Sequence, residues 1–153
     1  MYGIGRNKQA LAGAYAIEGR ALIFPKQGIA MGCDLVRQAV VADAGALGAA
    51  VFEALEGSTP LRKKTLTLGQ QTRVFANTMD AFRREQKAGL RRFSDGLTHV
   101  AIRQTPAGIA LTPMGPARGR YAFERSGEDQ VIEVPASLDA AVVGRALSLM
   151  LNR

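Results

Sequence analysis

The sequence has no tryptophan, one cysteine and one histidine. A single cysteine, Cys33, cannot form a disulfide within the chain, which fits a reducing compartment. Cys33 and His99 alone cannot make up a Cys/His zinc site. No Asp-x-Asp-x-Asp-Gly loop is present, so neither a metal nor a cofactor is expected. Long apolar runs are also missing. The most apolar stretches, 39–51 and 138–151, are broken by Asp43, Gly45, Asp139, Gly144 and Arg145. None reaches the ~18–20 residues of a membrane helix. The first residues show no basic flank followed by an apolar core, so no secretory signal is expected. The expectation is a cytoplasmic protein without a membrane partner.

What remains is an ordinary globular composition: 153 residues, 47% apolar and 22% charged. A chain of this length buries roughly 70% of its unfolded surface. Residues 1–153 are expected to form a single domain.

Charge is unevenly placed. Residues 62–92 hold nine of the 20 basic residues and two of the 13 acidic ones, Asp80 and Glu85. The segment therefore carries the entire excess of +7, and the remainder is neutral with eleven of each sign. Such asymmetry points to an anionic partner, phosphate or carboxylate.

Periodicity outlines the elements. Residues 11–17 and 20–24 are β-prone runs around Glu18-Gly19, a tight-turn pair. Pro25 is expected to end the second run, and 26–33 to form a loop. Asp43 is a candidate N-cap for a helix to about residue 56, with Leu47, Val51 and Leu55 as its apolar stripe. Part of the segment from Leu35 to this cap is expected to be helical too. Residues 61–69 suggest a basic loop or short strand. A second helix is expected over 70–88, with Phe75, Met79 and Phe82 inward and Arg73, Asp80, Arg84 and Lys87 outward. Strands follow at 97–103, 109–112, 120–125 and 130–134, with a loop at 113–119 and a turn at 126–129. Ser137 is a candidate N-cap for a last, largely buried helix over 138–151. The order ββ-αα-ββββ-α with short turns implies an α+β fold, an antiparallel sheet with helices packed on it.

Few residues suggest catalysis. Gly3-x-Gly5 lacks the third glycine and the Lys-Ser/Thr pair of a phosphate loop. His99 sits in a strand without an orienting carboxylate and nucleophile nearby in sequence. Cys33 has no basic neighbour before Arg37 to activate it. Glu124, Glu128, Asp129 and Glu133 cluster across a turn and suit a solvated hairpin or an acidic contact surface. The basic segment attracts nucleic acid in principle, but it lacks interleaved aromatics and any nucleic-acid-binding signature.

Several stretches, most of them toward the two ends, carry a resemblance. Met1-Tyr-Gly-Ile-Gly-Arg-Asn-Lys8 and Tyr15-Ala-Ile-Glu-Gly-Arg-Ala-Leu-Ile-Phe-Pro25 resemble the opening of one group of CdiI immunity proteins of contact-dependent growth inhibition. Leu47-Gly48 and Glu53-Ala54-Leu55 continue it. Val131-Ile-Glu-Val-Pro-Ala136 and Val143-Gly-Arg-Ala-Leu-Ser-Leu-Met-Leu151 resemble the family's closing strand and helix. The family's Trp before the last strand is absent, and Phe123 takes its place. The likeness covers about a third of the chain, and 59–116 has no counterpart. It implies a non-enzymatic cytoplasmic protein that binds the C-terminal toxin domain of its cognate CdiA, often a nuclease, as a heterodimer. The contact is then expected to use Arg62, Lys63, Lys64, Arg83, Arg84, Lys87, Arg91 and Arg92, since Arg pairs bidentately with carboxylates. A basic nucleic-acid-binding regulator is the alternative expectation.

Overall fold

Glu18 and Gly19 both take positive φ, 51° and 81°. This is the twist that lets a two-residue turn join antiparallel strands. The turn joins β1 (Leu11–Ile17) to β2 (Arg20–Gln27), in register from Ile17↔Arg20 to Ala12↔Pro25. The computed structural model describes residues 10–27, 30–31, 36–58, 68–87, 89, 96–118, 122–125, 131–135 and 139–152. Within these, β3 (Ala30–Met31), β4 (Arg37–Val40), α1 (Ala44–Gly57) and α2 (Leu68–Glu85) follow. Then come β5 (Thr98–Thr105), β6 (Gly108–Arg118), β7 (Ala122–Arg125), β8 (Ile132–Pro135) and a last helix, here α3 (Ala140–Leu151). The strands make one antiparallel sheet, β3-β2-β1-β5-β6-β7, with β4 also on β2 and β8 also on β6. The expected α+β class holds.

Two prolines lie inside strands that were expected to stop at them. β2 runs through Pro25 to Gln27, and β6 runs through Pro113 to Arg118. The register explains both. Ala12↔Pro25 and Val100↔Pro113 alternate with the hydrogen-bonded rungs, so each proline nitrogen points to the strand's outer side. On that side β2 changes partner, from β4 opposite 20–23 to β3 opposite 26–27. Likewise β6 changes from β8 opposite 108–111 to β7 opposite 114–118. No strand needs the donor that proline lacks. Pro116 falls within the irregularity between Met114 and Ala117.

Alternation splits the core between the two sheet faces. Ala12, Ala14, Ile23, Val100, Ile102 and Leu111 face α1 and α3. Tyr15, Ile17, Leu22, Phe24 and Leu97 face α2, which contributes Phe75, Met79 and Phe82. The helices therefore cover both faces. The segment expected to be helical before Asp43 is instead β4. Its residues alternate, with Ala39 and Val41 toward α1 and Val36 toward α2.

Asp43 caps α1, its Oδ1 accepting from the Ala46 N–H at 3.0 Å. Leu47, Val51 and Leu55 are buried, as their spacing predicts. The last helix departs from expectation: its N-cap is Asp139, whose Oδ1 accepts from Val142 N–H at 3.1 Å. Ser137, the expected cap, lies outside the described residues. Nor is α3 wholly buried. Val143, Leu147, Met150 and Leu151 are inside, but Leu149 is 75% exposed. The helix packs by one face only, against α1 and the sheet.

That packing depends on two glycines. A Cβ built on Gly48 would collide with the carbonyl of Ala140, and one on Gly144 with the carbonyl of Ala44. Each helix thus offers an Ala-x-x-x-Gly step, and the antiparallel backbones meet there directly, the geometry that small-x-x-x-small pairs permit.

Ser58 locks the open end of the first hairpin. Leu11 and Lys26 would form the next rung after Ala12↔Pro25. Instead the Leu11 N–H donates to Ser58 Oγ at 3.0 Å, and Ser58 Oγ–H donates to the Lys26 carbonyl at 2.9 Å. The hydroxyl at the end of α1 replaces the rung and ties the helix to both strands.

Candidate interaction surface

α2 carries the described part of the basic segment. Its inner face behaves as its spacing predicts: Met79 and Phe82 are fully buried and Phe75 half-buried. Its last turn holds Arg83 and Arg84. The helix ends with Gln86 N–H donating to the Phe82 carbonyl at 3.1 Å and Lys87 N–H to the Arg84 carbonyl at 3.0 Å. Lys87 takes φ 54°, the left-handed conformation common just past a helix C-terminus.

Of the eight cations expected in a contact, three are described: Arg83, Arg84 and Lys87. Arg62, Lys63, Lys64, Arg91 and Arg92 lie outside the described residues. The three are not equivalent. Arg84 and Lys87 are exposed. Arg83 is held in the protein, its Nε 3.7 Å from Asp80 Oδ1, with the two side chains 19% and 11% exposed. Asp80, expected to face outward, is buried. Helical phase alone missed this, because it locates the face turned from the sheet and not what else covers it.

β4, absent from the sequence-based outline, positions the end of α2. Gln38 Nε2 donates to Glu85 Oε2 at 3.1 Å. On the other sheet face, Arg37 pairs with Glu53 of α1 at 2.6 Å. One short edge strand thus contacts a helix on each face. The sequence carries little signal for it, because Val36-Arg37-Gln38-Ala39-Val40-Val41 does not alternate between apolar and polar residues.

Under α2 lies the one histidine. His99 and Tyr15 are cross-strand partners on β5 and β1. Their rings stack with centroids 4.0 Å apart and 8° between planes. Phe24 and Phe75 pack on Tyr15 at 5.9 and 5.5 Å. Burial first, and the Lys26 ammonium second, push the His99 imidazole from its usual 6.5 down to about 3. It is therefore a neutral core ring at physiological pH, and its surroundings are aromatic. Cys33, Gly3, Gly5, Glu128 and Asp129 are outside the described residues; Glu124 belongs to β7, and Glu133 is exposed on β8. Among the described residues, no three His, Cys, Asp or Glu side chains come together as a metal site. Nor is any helix long and apolar enough to cross a membrane.

Comparison with known proteins then places the fold. No family model matches the chain, and no curated protein matches it in sequence. Solved structures do match, among them two that align nearly end to end. One is a protein of unknown function from Neisseria meningitidis, with a TM-score of 0.73 and 17% identity over 96% of each chain. The other is a chain of a CdiA-CT/CdiI toxin and immunity complex from Yersinia pseudotuberculosis. Its TM-score is 0.70, with 13% identity over 95% of this chain and 97% of that one. The fold is one found in a toxin–immunity complex. At these identities the likeness concerns the fold alone.

Proposed function

We propose that this protein is a CdiI-type immunity protein that binds the C-terminal toxin domain of a cognate CdiA effector and neutralises it without catalysis of its own. One observation carries the reading: the chain shares its fold over 95% of its length with a chain of a CdiA-CT/CdiI complex. The end motifs that resemble the CdiI family fall on structural elements of that same fold, the β1–β2 hairpin, β8 and α3. The chemistry is compatible. The single histidine is a buried, neutral ring stacked on Tyr15, unsuited to proton transfer near pH 7. The aromatic side chains around it are turned inward, whereas stacking on bases needs exposed rings.

In this reading the contact uses the basic segment, with Arg84 and Lys87 as its described members. They would steer encounter with an acidic partner surface and make the on-rate sensitive to salt. Protection against a lethal enzyme needs nanomolar binding, about −12 kcal/mol. An interface of roughly 800 Å² per partner suffices when it contains a few buried anchors.

The test is protection in cells. Expression of the toxin domain encoded beside this chain should arrest growth, and co-expression of this chain should restore it. This chain alone should be harmless. Toxicity of this chain by itself, or failure to protect, would contradict the proposal.

A further inference from the structure

On its side of the sheet α2 packs on Tyr15, Ile17, Leu22, Phe24 and Leu97. Leu11 of β1, Lys26 of β2 and Arg103 of β5 are in phase with these residues and so lie on the same face. They form one lateral row. Leu11 and Arg103 are cross-strand partners, and the Ser58 hydroxyl bridges Leu11 to Lys26 on the other side. The Cα atoms of the two cations are therefore about 10 Å apart, two strand spacings, with Leu11 between them. Next to the row, toward the Tyr15–His99 stack, lie Gly13 and its partner Ala101, whose small size leaves the face shallow. Leu11 and Ala101 are half-buried yet belong to neither core.

The charges on this row are unbalanced. Arg103 is exposed and Lys26 half-buried, and neither has an ion-pair partner among the described residues. After burial, the Lys26 ammonium is the second cause of the low His99 pKa, which puts its charge over this face. A half-buried ammonium without a counter-charge carries a desolvation cost that an incoming carboxylate offsets. Beyond Arg103 the row continues through Ala110 to the exposed Glu133 of β8, whose charge repels an acidic group from that end.

We infer, on the immunity reading above, that this row is a docking point for the toxin domain: an acidic side chain of the toxin lies between Lys26 and Arg103, and an aliphatic neighbour covers Leu11 and Ala101. Charge complementarity selects the acid. The apolar surface between the cations selects a protein segment over nucleic acid. Phosphates gain nothing from Leu11, and bases stack on exposed aromatic rings, which the row does not offer.

The experiment is calorimetric titration of the full chain with the toxin domain encoded beside it. It compares wild type with Arg103→Gln, the double variant Lys26→Gln/Arg103→Gln and, as control, Arg145→Gln. Arg145 is exposed on α3, which packs on the opposite face of the sheet. Urea unfolding of each free chain runs in parallel. The double variant should bind about tenfold or more weaker than wild type, and Arg103→Gln about threefold or more. Arg145→Gln should bind within about twofold of wild type. The urea midpoint of the double variant should stay level or rise, because the free chain loses an uncompensated ammonium; a merely structural role would lower stability and affinity together. Arg103→Gln, at an exposed position, carries the test if the double variant does not fold. Folded variants that bind within about twofold of wild type would overturn this docking point and leave the immunity reading standing. Equal weakening by Arg145→Gln would reduce the effect to net charge and overturn it as well. A wild-type chain that binds no toxin domain would overturn both. Binding of a short DNA duplex that drops steeply between about 50 and 200 mM salt, and is lost in the double variant, would assign the row to nucleic acid and overturn the docking point.

Discussion

Arg83 is folded back on Asp80, with Nε 3.7 Å from Oδ1 and both side chains largely out of solvent. Its neighbour Arg84 stands exposed. Two adjacent arginines in one basic segment therefore have different work. Arg83→Ala leaves the Asp80 carboxylate with one cation fewer and should cost about 1–2 kcal/mol of stability, measured by urea unfolding. Its effect on toxin affinity should be small. Arg84→Glu should do the reverse, weakening binding with an unchanged urea midpoint.

The two close glycines make a sharper contrast. Helix propensity favours alanine over glycine by about 1 kcal/mol. Gly45 is exposed, with only the Asp43 side chain near its missing Cβ, at 3.7 Å. Gly45→Ala should therefore stabilise by up to about 1 kcal/mol. At Gly48 the Cβ meets the Ala140 carbonyl, a backbone atom that cannot swing aside. Gly48→Ala should destabilise by about 2 kcal/mol or more despite the same propensity gain, because separating α1 from α3 unpacks the core between them. Thermal or urea unfolding of the pair decides it; equal effects would refute the close approach.

His99 supplies a pH dependence with a definite sign. Its folded-state value, about 3, lies below the ordinary 6.5. The unfolded chain therefore binds a proton that the folded one refuses. The stability contribution is intact above about pH 6.5 and is lost as pH falls from there toward 3. At about pH 5 the loss should be roughly 2 kcal/mol. His99→Phe keeps a flat ring against Tyr15 and should remove this part of the acid sensitivity. Urea midpoints at neutral and mildly acidic pH measure it, and an unaltered pH slope in the variant would refute the burial argument.

Ser58→Ala removes the hydroxyl that stands in for a ladder rung. The Leu11 N–H and the Lys26 carbonyl are then left facing a gap, at a cost of about 1–3 kcal/mol. Because the site is only 5% exposed, water is a poor substitute. Hydrogen exchange at Leu11 should accelerate selectively if the bridge is as described.

Much of this was legible in the sequence for local reasons. Glu18-Gly19 encodes its own turn, Asp43 its own cap, and Leu47, Val51 and Leu55 their own buried stripe. The errors share a nonlocal cause. Pro25 and Pro113 looked like strand ends, because their tolerance comes from a change of neighbouring strand on one side. β4 was invisible as a strand, because four residues acquire that identity only by pairing with β2. Asp80 seemed outward because phase reports one helix, not what packs over it. The same limit applies to the candidate surface. Charge asymmetry drew attention to α2, but only the fold separates Arg83, held by Asp80, from the exposed Arg84.

The most direct measurement is calorimetric titration of this protein with the toxin domain encoded beside it, using a non-cognate toxin domain as control. One-to-one binding with nanomolar Kd is expected for the cognate domain and none for the control. Absence of cognate binding, with salt-sensitive binding to nucleic acid in its place, would contradict the immunity function.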